Sequence, residues 1–419
     1  MKKTILACYF LIALSTSGFA QTATSKIDVD RVVSEIDPKI YGVFMEPIHF
    51  NGRRMGLPDS VEFNTLYGNL YDLQSPLADE NGFRKDYIEA MHELKITNMR
   101  WPGGNFLMGY DWKDGIGPKE QRPTRINLAW GGPETNQVGT DEWMALNRSI
   151  GSENIVCVNL GLGSILDAAY WVEYCNYNKG STYSDLRVKN GHRDPYNVKL
   201  WDLGNEVDGL PWELGHKNAE DYVETAREAA KAIKSVDPPV FMSVLPIAQC
   251  LNSFVRHADV VKMANFTMLT SLLSNGPRNG TFKSPVFYTF KLFSNNCLGS
   301  SVDAFVACDT FGTDKYKSIP YLDVTAVYAK ASGALYINVI NRHQSNAIPA
   351  DITAATGEFS GKAEATVINS DDLKAPFSYD KRSQYGPVPG SVKLNGNKRQ
   401  YAFPPHSFTQ IKVTINRRK

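Results

Sequence analysis

An asparagine and a glutamate stand side by side at Asn205 and Glu206, inside the run WDLGNEVDG from Trp201 to Gly209. A carboxyl group in such a place can hand a proton to a leaving oxygen if burial or a like-charged neighbour raises its pKa. Before it, YNVKLW (Tyr196 to Trp201) alternates apolar and polar residues like a short strand. After it, KNAEDYVETAREAAKAIKSV (Lys217 to Val236) reads as a helix. An acidic residue at the C-terminal end of a strand in a β–α unit sits where barrel enzymes keep their catalytic groups. Alone, an Asn–Glu pair reads as a capped turn with a solvated carboxylate, because short motifs recur by chance. The surrounding chain reverses that balance.

From Ile40 to about Ser294, short β-like runs alternate with helical ones, the signature of an α/β fold. IYGVFMEP (Ile40 to Pro47) reads as a strand, as does ITNMRWPGGN (Ile96 to Asn105), which ends in a Gly-rich turn. FRKDYIEAMHELK (Phe83 to Lys95) carries apolar residues at helical spacing. GTDEWMALNRSI (Gly139 to Ile150) reads as a helix with Thr140 as its N-cap. NIVCVNLGLG (Asn154 to Gly163) is a buried strand, followed by the helix SILDAAYWVEYCN (Ser164 to Asn176). After about Ser301 the helical pattern stops. DAFVACDTF, PYLDVTAVYAK, ALYINVINRH, AEATVINS and SFTQIKVTIN are short alternating strands at the spacing of a β-sandwich. The expected fold is therefore a (β/α)-type barrel over 40–300 and a sandwich over 301–419, with 21–39 returning to pair with the sandwich.

The chain has 419 residues, 42% hydrophobic, with formal charge +1 and both signs interspersed. No basic patch marks a nucleic-acid partner. At the start, Lys2 and Lys3 precede a largely apolar run from Thr4 to Thr16, and small residues close it at Ser17, Gly18 and Ala20. This predicts a signal peptide over 1–20, cleavage before Gln21, and a secreted or periplasmic protein. The apolar run is too short to span a bilayer, which takes roughly 20 residues, so no membrane anchor is expected. Beyond the leader, Cys157, Cys175, Cys250, Cys297 and Cys308 are odd in number and show no metal-ligand spacing. Most read as small buried apolar residues.

Several stretches in order carry a resemblance: DENGFRKD (Asp79 to Asp86), RWPGGNF (Arg100 to Phe106), DWKDGIGPKEQRP (Asp111 to Pro123), ETNQVGTDEW (Glu134 to Trp143) and WDLGNEVDG. Later come LNSFVRHADVVKMAN (Leu251 to Asn265), IPYLDVTA (Ile319 to Ala326), NVINRH (Asn338 to His343) and FPPHSF (Phe403 to Phe408). Together they resemble glycoside hydrolase family 51, the α-L-arabinofuranosidases, from about Ile40 to the C-terminus. The resemblance implies a (β/α)8 barrel with a β-sandwich, and retaining removal of terminal arabinofuranosyl groups from arabinan or arabinoxylan. Under it, Glu206 is the general acid/base, and Asn205 contacts the sugar beside the reacting carbon. Glu46 and Asn105 bind arabinose hydroxyls. The resemblance implies no cofactor and no metal, and it leaves assembly as a homo-oligomer open.

A retaining glycosidase uses two carboxyl groups roughly 5–5.5 Å apart, one as acid/base and one as nucleophile. The family's nucleophile is a Glu in an Asp-Glu-Trp-type motif after strand seven, yet this chain has no Glu between Glu228 and Glu358. The DEW at Asp141 to Trp143 precedes Glu206 and belongs to another motif. Only 65 residues, Asp237 to Ser301, separate helix four from the sandwich. Four β/α units of roughly 30 residues each do not fit there. A long helix from about Ile247 to Leu273 takes much of the interval, so at least two barrel units are expected to be missing. Met268 stands where the family carries an active-site Gln. Asp259 and Asp303 are the nearest downstream carboxylates, and neither follows a strand in the expected motif. Three readings remain open: turnover, arabinose binding without turnover, and a defective chain.

Overall fold

The computed structural model describes residues 22–51, 62–209, 214–238, 241–243, 251–267, 269–274, 280–370, 386–395 and 397–416. The leader over 1–20, Cys250 and Met268 lie outside the described residues.

The N-terminal strand β1 (Ala23–Glu35) belongs to the second half of the molecule. The barrel begins after a 3-10 turn at Pro38–Tyr41, which takes the start of the run IYGVFMEP, and leaves β2 as only Gly42–Phe44. The next strands are β3 (Asn98–Trp101), β4 (Glu153–Val158), β5 (Leu200–Leu203), β6 (Phe241–Ser243) and β7 (Asn265–Phe266). They form one parallel sheet in the order β6-β5-β4-β3-β2-β7.

In a closed eight-stranded barrel each strand pairs with the next and the last returns to the first. Here β2 to β6 follow in chain order and β7 takes the last place beside β2. Two places lie empty between β6 and β7 among the described residues. The linking segment, residues 244–264, is only 21 residues long, less than one β/α unit. The expected shortage of two units therefore has a definite location.

The long helix expected over Ile247–Leu273 is not formed. In its place α6 covers Leu251–Arg256, β7 follows, and one turn of helix occupies Leu269–Leu272. Sheet pairing overrides the apolar spacing. Buried Asn265 donates from Nδ2 to the Val43 carbonyl at 2.9 Å and to Asn98 Oδ1 at 2.6 Å, which fixes β7 against β2. Gly42 makes room for this, since a Cβ there would lie 2.1 Å from Asn98 Oδ1 and 2.4 Å from Asn265 Nδ2.

The helices on the retained side are α1 (Lys85–Leu94), α2 (Thr140–Ile150), α3 (Ile165–Asn176), α4 (Thr182–Lys189) and α5 (Ala219–Val236). Four of the five are expected from the sequence, and α4 is not. Ser164 and Asn218 cap α3 and α5 by accepting from the amides of Asp167 and Asp221. At α2 the N-cap is Gly139 rather than Thr140. The Glu142 carboxylate accepts from the Gly139 amide at 2.9 Å, so the helix starts one residue sooner. Behind these helices Trp101, Trp143, Trp171 and Trp201 are buried, and Trp112 stacks on Trp171 at 5.8 Å. Full burial of one large apolar side chain is worth about 1.5–3 kcal/mol. The retained side thus keeps a dense core of its own.

Strands β8 (Ser300–Ala307), β9 (Leu322–Ala329), β10 (Ala334–Asn341), β11 (Ile348–Ala354), β12 (Glu358–Ile368), β13 (Val388–Ser391), β14 (Lys393–Asn395), β15 (Lys398–Phe403) and β16 (Ser407–Asn416) make the C-terminal domain. Its sheet runs β13-β12-β16-β10-β9-β8-β1-β11-β15-β14. β1 lies antiparallel to β8 and parallel to β11, filling the gap between them. Ile27, Leu335, Ile337 and Ile411 are buried in its core. Phe293, on α7 (Pro285–Asn296), stacks on Phe408 at 5.3 Å and joins the two domains.

Candidate active site

Glu46 lies just past β2 and is 4% exposed. Its Oε1 accepts from the Phe106 amide at 2.8 Å and from Trp130 Nε1 at 2.7 Å. Burial raises its pKa, opposed by those two hydrogen bonds and by the Arg100 charge, while the Glu206 charge adds to the rise. Glu46 and Glu206 both follow the C-terminal ends of strands of the one parallel sheet, β2 and β5. The Gly103–Gly104 pair in the turn after β3 has a steric reason. A Cβ on Gly103 would lie 2.4 Å from Glu46 Cβ, and one on Gly104 would lie 2.4 Å from Glu46 Oε2. Only a bare backbone brings the Phe106 amide to the carboxylate. Asn105 starts the 3-10 turn Asn105–Gly109 directly after this pair and is buried.

Across the sheet, β5 ends and the chain turns through Gly204 and Asn205 to Glu206. Glu206 takes φ 42°, a left-handed conformation that side-chain-bearing residues seldom adopt. Such residues concentrate at functional positions. Arg100 on β3 holds the turn: Nε donates to Asp202 Oδ2 at 2.5 Å, and Nη2 donates to Asn205 Oδ1 at 3.0 Å and to Cys157 Sγ at 3.3 Å. Burial raises the Asp202 pKa and the Arg100 charge opposes it. Asn205 Nδ2 in turn reaches Glu206 Oε2 at 3.4 Å. Glu46, Asn105, Asn205 and Glu206 therefore all stand at the C-terminal ends of β2, β3 and β5.

Arg100, Asp202 and Trp130 are the members that sequence reasoning passed over. Arg100 and Asp202 carried a signal, since each is a charge inside a short apolar strand, NMRW and LWDL. Trp130 sits in a loop whose neighbours carry no such mark. In another respect the site differs from expectation. Glu206 is exposed rather than buried. The loops that would follow two further strands between β6 and β7 are the ones absent from its side of the sheet.

No downstream carboxylate replaces the missing one among the described residues. Asp259 is exposed in the turn after α6, and Asp303 lies on sandwich strand β8, paired with Arg31. Asp141 and Glu142 belong to α2. Asp141 accepts from the hydroxyls of Tyr174 and Tyr196, and Glu142 pairs with Arg122. Among the described residues no cluster of potential metal ligands occurs.

The chain's relatives fit this geometry. The alpha-L-arabinofuranosidase 1 domain matches residues 90–265, and the alpha-L-arabinofuranosidase C-terminal domain matches 231–407. A protein of Aspergillus clavatus named "Probable alpha-L-arabinofuranosidase C" is 46% identical, with 94% of this chain and 97% of that protein covered. That match runs over 515 residues against the 419 of this chain, so part of the relative has no counterpart here. The intracellular exo-alpha-(1->5)-L-arabinofuranosidase 1 of Bacillus subtilis is 27% identical over 92% of this chain and 98% of its own length. Among solved structures, the alpha-L-arabinofuranosidase of Thermotoga maritima in its arabinose complex superposes with a TM-score of 0.82. It is 26% identical and covers 94% of this chain. The chain belongs to the α-L-arabinofuranosidases of glycoside hydrolase family 51.

Proposed function

We propose that this chain recognises terminal L-arabinofuranosyl groups of arabinan or arabinoxylan and that Glu206 is its general acid/base. Glu46, Asn105 and Asn205 hold the sugar hydroxyls. The observation that carries the reading is the Arg100 bridge, which ties Asp202 and Asn205, directly before Glu206, to the strand beside the one that leads to buried Glu46. In a retaining reaction such a group protonates the leaving oxygen while a second carboxylate attacks the anomeric carbon and forms a sugar ester, and it then takes a proton from the water that releases the ester. General acid–base help of this kind is worth about 10²–10⁴-fold. Glu206→Gln therefore lowers release of a poor leaving group from a natural arabinan far more than release of p-nitrophenol from the aryl arabinofuranoside. Equal activity of variant and parent on arabinan would contradict the assignment.

A second reading, binding without turnover, is favoured by one observation: the sheet stops at β6 and resumes at β7, with no glutamate between Glu228 and Glu358 to attack the anomeric carbon. Calorimetric titration with L-arabinose separates the two, since both require binding and only the first requires turnover. Export is proposed on Lys2, Lys3 and the apolar run that follows. N-terminal sequencing that begins at Gln21 supports it, and an intact Met1 in the cytoplasm contradicts it.

A further inference from the structure

A hollow of about 510 Å³ lies where α6, β7 and α7 of the barrel meet β10, β12 and β16 of the sandwich. Among the described residues none of Glu46, Asn105, Asn205 and Glu206 lines it. Its size falls within the ordinary range of ligand pockets, roughly 300–1,000 Å³. Phe254, Phe266, Phe290, Phe293 and Phe408 line it, and the rings of Phe266 and Phe290 meet edge to face at 6.1 Å. Val286, at the start of α7, is the most solvent-exposed of the lining residues at 41%. Arg256 on α6 pairs with Asp323 on β9, so the barrel wall of the hollow is fastened to the sandwich.

Among the described residues no Asp, Glu, Lys or Arg side chain lines this hollow. A charged ligand would leave water there without a partner, which is costly. The polar side chains of the lining are, with one exception, already engaged. Asn341 donates to the Phe403 and Pro404 carbonyls at 2.9 Å, and the Ser407 hydroxyl donates to the Pro404 carbonyl at 2.7 Å. The Thr289 hydroxyl reaches the Pro285 carbonyl at 3.5 Å, and both ring nitrogens of His406 face carbonyls, those of Gln344 and Ser370. The exception is Asn252, which is 1% exposed. Its Oδ1 accepts at 2.7 Å from the hydroxyl of Thr325, a residue outside the lining, which engages that end of the amide. The other end, Nδ2, is buried with no partner among the described residues. Buried polar atoms are nearly always paired, so this donor calls for an acceptor.

We infer that this hollow binds a small neutral aromatic molecule that carries one oxygen acceptor, and that Asn252 Nδ2 donates to that oxygen. The phenyl rings favour an aromatic guest through edge-to-face and offset contacts. There is room for more than one ring, since a cavity of about 150 Å³ already takes benzene. A molecule bound here touches α6, β7 and the sandwich together, and so fastens the β7 flank of the barrel sheet to the C-terminal domain. The inference is independent of the arabinofuranosyl reading, because the two sites share no residue.

The test is an NMR titration of the full chain with 2-acetylnaphthalene, naphthalene and 2-naphthoate, with circular dichroism to show that each variant is folded. The ketone offers a carbonyl acceptor, the hydrocarbon has none, and the carboxylate is charged. The parent binds the ketone about fivefold more tightly than naphthalene, the net yield of one hydrogen bond, and binds 2-naphthoate more weakly than either. Asn252→Leu removes the advantage of the ketone and keeps naphthalene binding. Val286→Trp, which adds volume to the lining, weakens both by about tenfold. Saturating L-arabinose leaves all these affinities unchanged. Equal affinity of the parent for ketone and hydrocarbon would mean that water satisfies Asn252, and would overturn the inference. Preference for 2-naphthoate, competition by arabinose, or unaltered binding in Val286→Trp would overturn it as well. If Asn252→Leu does not fold, the comparison of ketone with hydrocarbon in the parent and the Val286→Trp variant still decide.

Discussion

The two flanks of the barrel sheet contrast sharply. From β2 to β5 the strands are backed by α1 to α5, the tryptophans behind them are buried, and charged side chains are exchanged across strands as Arg100 does with Asp202 and Asn205. At the other flank, among the described residues, β6 pairs only with β5 and β7 only with β2, over three and two residues. Under the proposed function, the difference separates the groups that would hold the sugar from the group that would attack it. The proposed acid/base Glu206 and the proposed sugar ligands Glu46, Asn105 and Asn205 follow strands with neighbours on both sides. The family's nucleophile would follow strand seven, and among the described residues no such strand stands between β6 and β7.

The contrast can be broken most severely at Arg100. Its guanidinium and the Asp202 carboxylate are both almost wholly buried, and removing one member of such a pair costs about 3–5 kcal/mol. Arg100→Met should lower unfolding stability by that amount in a denaturant titration and release the Asn205–Glu206 turn, so that arabinose affinity falls as well. A loss below about 1 kcal/mol, the scale of an exposed pair, would mean the bridge does not organise the retained flank.

A gentler comparison uses hydrogen exchange. Local opening is easiest where few buried contacts and few paired backbone groups hold a segment. The amides of Phe241–Ser243 and Asn265–Phe266 should exchange well before those of Ile155–Val158, which lie between two partners. Uniform protection across the sheet would show that something covers both edges in solution.

The smallest expected effect is on pH dependence. Burial raises the pKa values of Glu46, Glu134 and Asp141 above their ordinary 4.5, 4.5 and 3.8. The folded chain therefore keeps protons that the unfolded chain has lost. Their contribution to stability is full below the unfolded values and is lost as pH rises through the higher folded values. The thermal midpoint should decline over that window, and Glu46→Gln should make the decline shallower. An identical slope in parent and variant would contradict the buried-carboxylate assignment.

Much of this was legible in the residues. The helices Lys85–Leu94, Ile165–Asn176 and Ala219–Val236 follow their periodicity closely, because there local preference and tertiary packing agree. The shortage of barrel units could be read from the interval between Asp237 and Ser301 alone. What escaped depends on contacts far apart in sequence. The apolar spacing over Ile247–Leu273 indicates a helix, yet β2 offers Asn265 and Phe266 a partner and the helix yields. Thr140 has the chemistry of a cap, but Glu142 satisfies the amide of Gly139. Trp130 reaches Glu46 across 84 positions of chain, and no local pattern announces it.

The central claim is that this chain keeps the sugar-holding and proton-donating half of a retaining glycosidase and lacks the attacking carboxylate. Intact-mass analysis after incubation with a mechanism-based α-L-arabinofuranosyl inhibitor tests it most directly, on protein already found to bind L-arabinose. The account predicts bound arabinose and no covalent sugar adduct. A stoichiometric adduct on any carboxylate of the folded chain would contradict it and would identify the residue that attacks.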